Sequence, residues 1–284
     1  MKHLFKVIFI LMILTGCNPY SLVDKPSGDL QILSTARACF DQGDYECASK
    51  YYQQVSPHYS DQANSETALM ILAQNGLTAG VFVSAIIDGS KNGGTLITKL
   101  ADALTYTANS TTRLAFFHAF LKVNLISEIH NRGLIRFITA TGLMAEILAE
   151  DAGSPGKFTQ ADLVANPTIC LSTTDPTQQL TACKAPLGKK LTLGSSIPDL
   201  QKATDADIIG PSGNPTLYMI NAAITQIIDS IDELQTTGSL GSSSLNFANN
   251  TLAITLNTNW NSFTTLQQDA VYRAGLLGLG IGEN

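Results

Sequence analysis

Apolar residues recur three and four positions apart over most of this chain, the spacing of one helix face. Leu30, Leu33, Ala36 or Arg37, and Phe40 fall at that spacing, with Asp29 as the residue that caps the helix and Gly43 as its stop. Asp44 then sits where a second helix needs an N-cap. Asp61 to Asn75 predicts another helix through Ala68, Leu69, Leu72 and Ala73, closed by Asn75-Gly76. Leu77 to Ile87 is apolar and partly β-branched, so helix and strand both fit it. Asp88 to Gly94 reads as a plain glycine-rich loop.

Further along, Leu96, Leu100 and Leu104 predict a helix over Thr95 to Thr107. Leu114, Phe117, Leu121 and Leu125 predict one over Thr111 to Asn131. Gly133 reads as a break before a helix from Leu134 to Glu150. The stretch 151–215 then changes character, with frequent prolines and glycines and only short helices near Gln160–Val164 and Pro198–Ala206. Leu217, Ile220, Ile224, Ile227, Ile231 and Leu234 mark the clearest amphipathic helix, from Thr216 to Leu234. Leu252, Ile254 and Leu256 alternate as in a short strand, and a last helix spans Trp260 to Leu277. The expected fold is all-α: packed antiparallel helix hairpins carrying a long loop-rich insertion at 151–215.

The N-terminus follows a different rule. Lys2 and Lys6 precede an unbroken apolar run, Val7 to Leu14. Eight residues are too few to span a bilayer, which takes about 20, but suit the apolar region of an export signal. Leu14-Thr15-Gly16-Cys17 closes the run. This motif resembles the lipobox of bacterial lipoproteins. The resemblance implies cleavage before Cys17, with fatty acyl chains such as palmitate on its thiol and its new amino group. More than one chain is needed for stable anchoring. It implies a signal peptide at 1–16, a lipidated tether at 17–28 with Pro19, Pro26 and Gly28, and a helical domain from 29 to 284. Asn18 stands where an aspartate would favour inner-membrane retention, so the implied location is the outer membrane, facing the periplasm.

A second resemblance lies in Ala36, Phe40, Gly43-Asp44-Tyr45, Ala48 and Tyr52, with Pro57 just beyond. These residues look like one tetratricopeptide repeat. Small Ala36 and Ala48 let two helices approach, and Gly43 accepts the turn. Ile32 stands where a bulkier residue is usual, and Cys39 where a tyrosine is. The resemblance implies a scaffold that binds protein partners, with Tyr45 and Tyr52 as candidate partner contacts.

Five cysteines divide into Cys17, taken by lipid, and an even set of four: Cys39, Cys47, Cys170 and Cys183. In an exported chain that suggests two disulfides. Three pairings are possible, with buried free thiols as the alternative. Local pairing, Cys39 with Cys47 and Cys170 with Cys183, closes the shortest loops. No Cys-x-x-Cys occurs, and zinc is not expected.

Charge narrows the partners. The net charge is −6, and loss of Lys2 and Lys6 with the signal takes it to −8. An acidic chain lacks the clustered cations that phosphate backbones require, so nucleic acid is not an expected partner. Esterase, zinc-protease and dinucleotide motifs are absent from the sequence. His118, His130 and Glu128 read as structural, because residues two apart point to different helix faces. Asp205 with Asp207, and Asp232 with Glu233, read as helix ends or solvated faces. The expected function is therefore non-catalytic, without cofactor or metal: a membrane-anchored accessory scaffold for envelope proteins. The alternative is a binding protein for a small apolar or lipid-like ligand, held between the helices of 111–150 and 216–234.

Overall fold

The helical spacing read above becomes helices almost throughout. The computed structural model describes residues 26–88, 93–152, 157–172, 175–197, 199–236 and 263–282. The expectations for the signal peptide, for Cys17, for most of the tether and for the strand at Leu252–Leu256 fall outside these residues. The fold is all-α: no strand occurs among the described residues, and the only extended pairing there is an isolated bridge between Thr192 and Thr216. Two compact units emerge, one ending at Tyr59 and one starting at Ser60, where the sequence reading drew one helical body from residue 29.

The first unit is a helix pair, α1 (Asp29–Asp41) and α2 (Tyr45–Tyr52), followed by a single 3-10 turn at Pro57–Tyr59. The chain reverses at Gly43, whose φ of 76° is open to glycine but costly for a side chain. The carboxylate of Asp44 accepts from the Cys47 N–H at 3.0 Å and so caps α2. Ala36 and Ala48 are fully buried, and the Cys39–Cys47 disulfide crosses the turn. Asp29 closes the unit by accepting from both the N–H and the hydroxyl of Ser56.

The second unit begins with α3 (Ser60–Gln74) and α4 (Ala79–Asp88), joined through Gly76 at a φ of 98°. The segment open to helix or strand is thus a helix. Next come α5 (Gly93–Leu104), which Gly93 and Gly94 open rather than extending the loop before it, and α6 (Ser110–Val123). Asn109 caps α6 by accepting from the N–H groups of Thr111 and Thr112. At the centre runs α7 (Ile129–Ala152), 24 residues long and packed against α3, α5, α6 and α12 (Leu217–Thr236). Short helices α8 (Gln160–Leu163), α9 (Pro167–Ser172), α10 (Pro176–Ala182) and α11 (Asp205–Ile209) lie in the insertion, and α13 (Thr265–Gly278) closes the chain. The Cys170–Cys183 disulfide ties α9 to the residue after α10.

Two expectations need correcting. The helix from Thr111 does not reach Asn131, and the break is not at Gly133. It falls between Val123 and Ile129, because the carboxylate of Glu128 accepts from the N–H groups of His130 and Asn131 and starts a new helix there. Asp61 fixes the same corner by accepting from the Ser127 hydroxyl and the Glu128 N–H. Gly133 lies inside α7, where α12 comes so near that an added Cβ would stand 3.1 Å from Cβ of Glu233 and 3.3 Å from the Ser230 carbonyl.

The second correction concerns the insertion, whose frequent prolines and glycines suggest a loop-rich excursion. Phe158, Leu163, Val164, Leu191, Leu200 and Ile208 are instead buried in the same hydrophobic cluster as the long helices. The C-terminal tail joins it: Ile281 is buried, and the Gly282 N–H donates to the buried Thr98 hydroxyl at 2.8 Å.

The contact at Gly133 is directly testable. Gly133→Val places two methyl groups where α12 already sits, and overpacking of this kind costs about 1–3 kcal/mol. The expected result is a lower urea midpoint with an unchanged slope.

Candidate functional site

Most charged side chains inside the second unit hold other parts of the protein. Arg113 is fully buried on the same stripe of α6 as Phe116, Phe117 and Phe120. Its guanidinium donates to Glu150 on α7 and to the carbonyls of Ile208, Ile209 and Gly213, the last three at 2.8, 2.7 and 3.0 Å. Arg273, also fully buried, donates to Asp269 one turn earlier on α13 and to the carbonyls of Leu163 and Leu191, each at 2.7 Å. Lys189 donates to Asp162 and to the Ala152 carbonyl. Arg132 and Arg136 meet Glu233 across the α7–α12 contact at 2.8 and 3.0 Å.

Two buried carboxyls stand beside these clamps. Glu146 lies one turn before Glu150 and is 0% exposed. One oxygen accepts from the Asn109 N–H at 3.1 Å, and the other accepts no hydrogen bond from the protein. Burial pushes the Glu146 carboxyl well above its ordinary range, and the neighbouring charge of Glu150 adds to this. The Arg113 guanidinium and the Asn109 N–H offset only part. Asp151 accepts from the Leu191 N–H at 2.7 Å, and burial raises it too, against the pull of that N–H, Arg273 and Lys189. Paired carboxyls of this kind could move protons at an open site. Here Glu146, Glu150 and Arg113 are enclosed by the core, and their chemistry is that of a structural network.

The residues singled out in the sequence fall as follows. Tyr45 is half-buried, its ring 6.0 Å from that of Phe40, whereas Tyr52 is buried. Of the two candidate partner contacts, only Tyr45 is partly exposed. Cys39, Cys47, Cys170 and Cys183 form the two local disulfides. Asp207 caps α11 by accepting from the N–H and hydroxyl of Thr204. Asp205, its neighbour on the same turn, also meets Nε2 of exposed His118 at 2.9 Å, a pairing that joins α11 to α6. Glu233, read as solvated, is mostly buried in its pairing with Arg132 and Arg136. Among the described residues no group of His, Cys, Asp and Glu is placed to hold a metal ion.

Part of what the second unit presents to the outside is an apolar helix face. α4 carries one ionisable side chain, Asp88 at its end, and rests on the core through Phe82 and Ala85. Val83, Ile86 and Ile87 share the opposite face and are 54%, 44% and 69% exposed. A helix apolar on all sides is ordinarily buried, so this face stands out as a surface for contact. No single helix among the described residues is long and apolar enough to cross a membrane. Comparison with known proteins finds no matching family model, no matching curated protein and no matching solved structure.

The buried carboxyl sets a pH dependence. Folded Glu146 keeps its proton to a higher pH than unfolded Glu146, so the folded state binds more protons from the ordinary value of 4.5 up to the raised one. Stability then falls as pH rises through that window. Glu146→Gln carries no such charge and is expected to lose less stability than the wild type in urea melts as pH rises from the ordinary carboxyl value of 4.5. Equal losses would contradict the assignment.

Proposed function

We propose that this chain is an exported lipoprotein, anchored through Cys17 in a bacterial outer membrane and facing the periplasm. It acts there as a non-catalytic accessory scaffold for envelope proteins. The observation that carries the reading is Leu14-Thr15-Gly16-Cys17, directly after an eight-residue apolar run with lysines before it. The two cysteine pairings support export, since disulfides persist in oxidising compartments. The non-catalytic reading is supported by the fate of the buried ionisable groups, which bond to one another and to backbone carbonyls inside the core. A tetratricopeptide-like use of the first unit would present Tyr45 and the outer faces of α1 and α2 to a protein partner. Leu30, largely exposed on α1, would add to that surface.

The anchor is tested by the mass of the mature protein taken from cell envelopes. The expected product begins at Cys17 and carries acyl mass, and Cys17→Ser abolishes both processing and membrane fractionation. A mature chain that begins elsewhere without acyl mass would contradict the reading. The scaffold role is tested by crosslinking in native envelopes. A discrete partner captured by the wild type and lost with Cys17→Ser is the expected outcome.

A further inference from the structure

We propose that the exposed face of α4, Val83, Ile86 and Ile87, lies in the headgroup region of the bilayer to which the chain is anchored. The inference rests on the anchor proposed above and adds a second membrane contact to it.

Three observations point to lipid as the occupant. The first is the composition of the face. Energetically dominant protein contacts are rich in Trp, Tyr and Arg, and poor in Val. The exposed side of α4 offers Ala79, Gly80, Val83, Ile86 and Ile87, with Ser84 as its polar member before Asp88 at the end. That is a set of groups with no directional demand, suited to hydrocarbon. The second is geometry. Ten residues of helix make a rod about 15 Å long, too short to cross a bilayer. Its other side is held on the core by Phe82 and Ala85, with the Phe82 ring 6.3 Å from that of Phe137. Held on the core along one side, such a helix would lie flat in the interface, outer face down.

The third is reach. The tether, residues 18–28, is 11 residues long and spans at most about 40 Å when extended. The anchor keeps the rest of the chain near the membrane, where the local lipid concentration is high. A patch of three aliphatic side chains is too small to recruit a free protein to a membrane, but contact becomes an intramolecular event once the chain is tethered. The consequence is orientation: a lipid chain alone leaves the globule free to tumble, and a second contact fixes which side faces the periplasm.

The test separates this contact from the anchor. The mature chain with Cys17→Ser and an N-terminal histidine tag is held on vesicles of phosphatidylethanolamine and phosphatidylglycerol containing nickel-chelating lipid. An environment-sensitive fluorophore is placed on a single added cysteine, Val83→Cys or Ile87→Cys, with the disulfides kept oxidised. The control is Leu187→Cys, at a side chain that is 101% exposed. The expected result is a blue shift and quenching by nitroxide-labelled lipid at 83 and 87, at a depth of about 5–10 Å. No such change is expected at 187, and Ile86→Asp is expected to abolish the signal. Reporters at 83 and 87 that remain in water on tethered vesicles would overturn the proposal, as would equal quenching at all three positions. Because the tag replaces the acyl chains, a missing acyl group on the native protein would refute the anchor alone.

Discussion

A backbone carbonyl outside a helix must find a donor wherever it leaves water. The described residues between Ala152 and Thr216 form only short helices, yet apolar residues among them enter the common core. Two buried guanidiniums make that possible. Arg113 takes the carbonyls of Ile208, Ile209 and Gly213, and Arg273 takes those of Leu163 and Leu191. A guanidinium carries five N–H donors in a fixed plane, so one side chain can serve several carbonyls that no regular ladder would reach. Carboxylates do the converse for stranded N–H groups: Asp151 serves Leu191, and Asp102 serves Phe158 at 2.6 Å. The insertion is thereby fastened at its start, middle and end to α5, α6, α7 and α13.

A buried arginine needs a counter-charge, which Glu150 and Asp269 provide. Glu146 remains as an extra carboxyl in the same enclosure, pushed well above its ordinary range by burial. Its cost is a dependence of stability on proton concentration. The outer face of α4, by contrast, carries bare aliphatic side chains.

The long helices were legible in the sequence because their apolar residues recur at three and four, and both disulfides followed from the shortest loops. The helix boundary at residues 124–128 was not. Gly133 resembles a breaker, and only the packed structure shows it as the point where α12 approaches. The core of the insertion was hidden for a different reason. Phe158, Leu163 and Leu191 stand singly among polar residues, and their burial depends on partners far along the chain. The buried arginines could have been found: Arg113 falls in phase with Phe116, Phe117 and Phe120, and Arg273 with Ala270, Leu276 and Leu277. A lone arginine on an apolar stripe signals a buried clamp. The exposure of α4 could not be foreseen, because an all-apolar helix reads as core.

The claim beneath the whole account is that Arg113 and Glu150 act together to hold the insertion in place. A double-mutant cycle with Arg113→Met and Glu150→Leu measures it most directly. Each single change leaves a buried group without its partner and is expected to cost about 3–5 kcal/mol in urea unfolding. The double variant should then cost less than the sum of the two by at least about 1 kcal/mol. Single changes that are near neutral, or costs that add to within about 0.5 kcal/mol, would contradict the account.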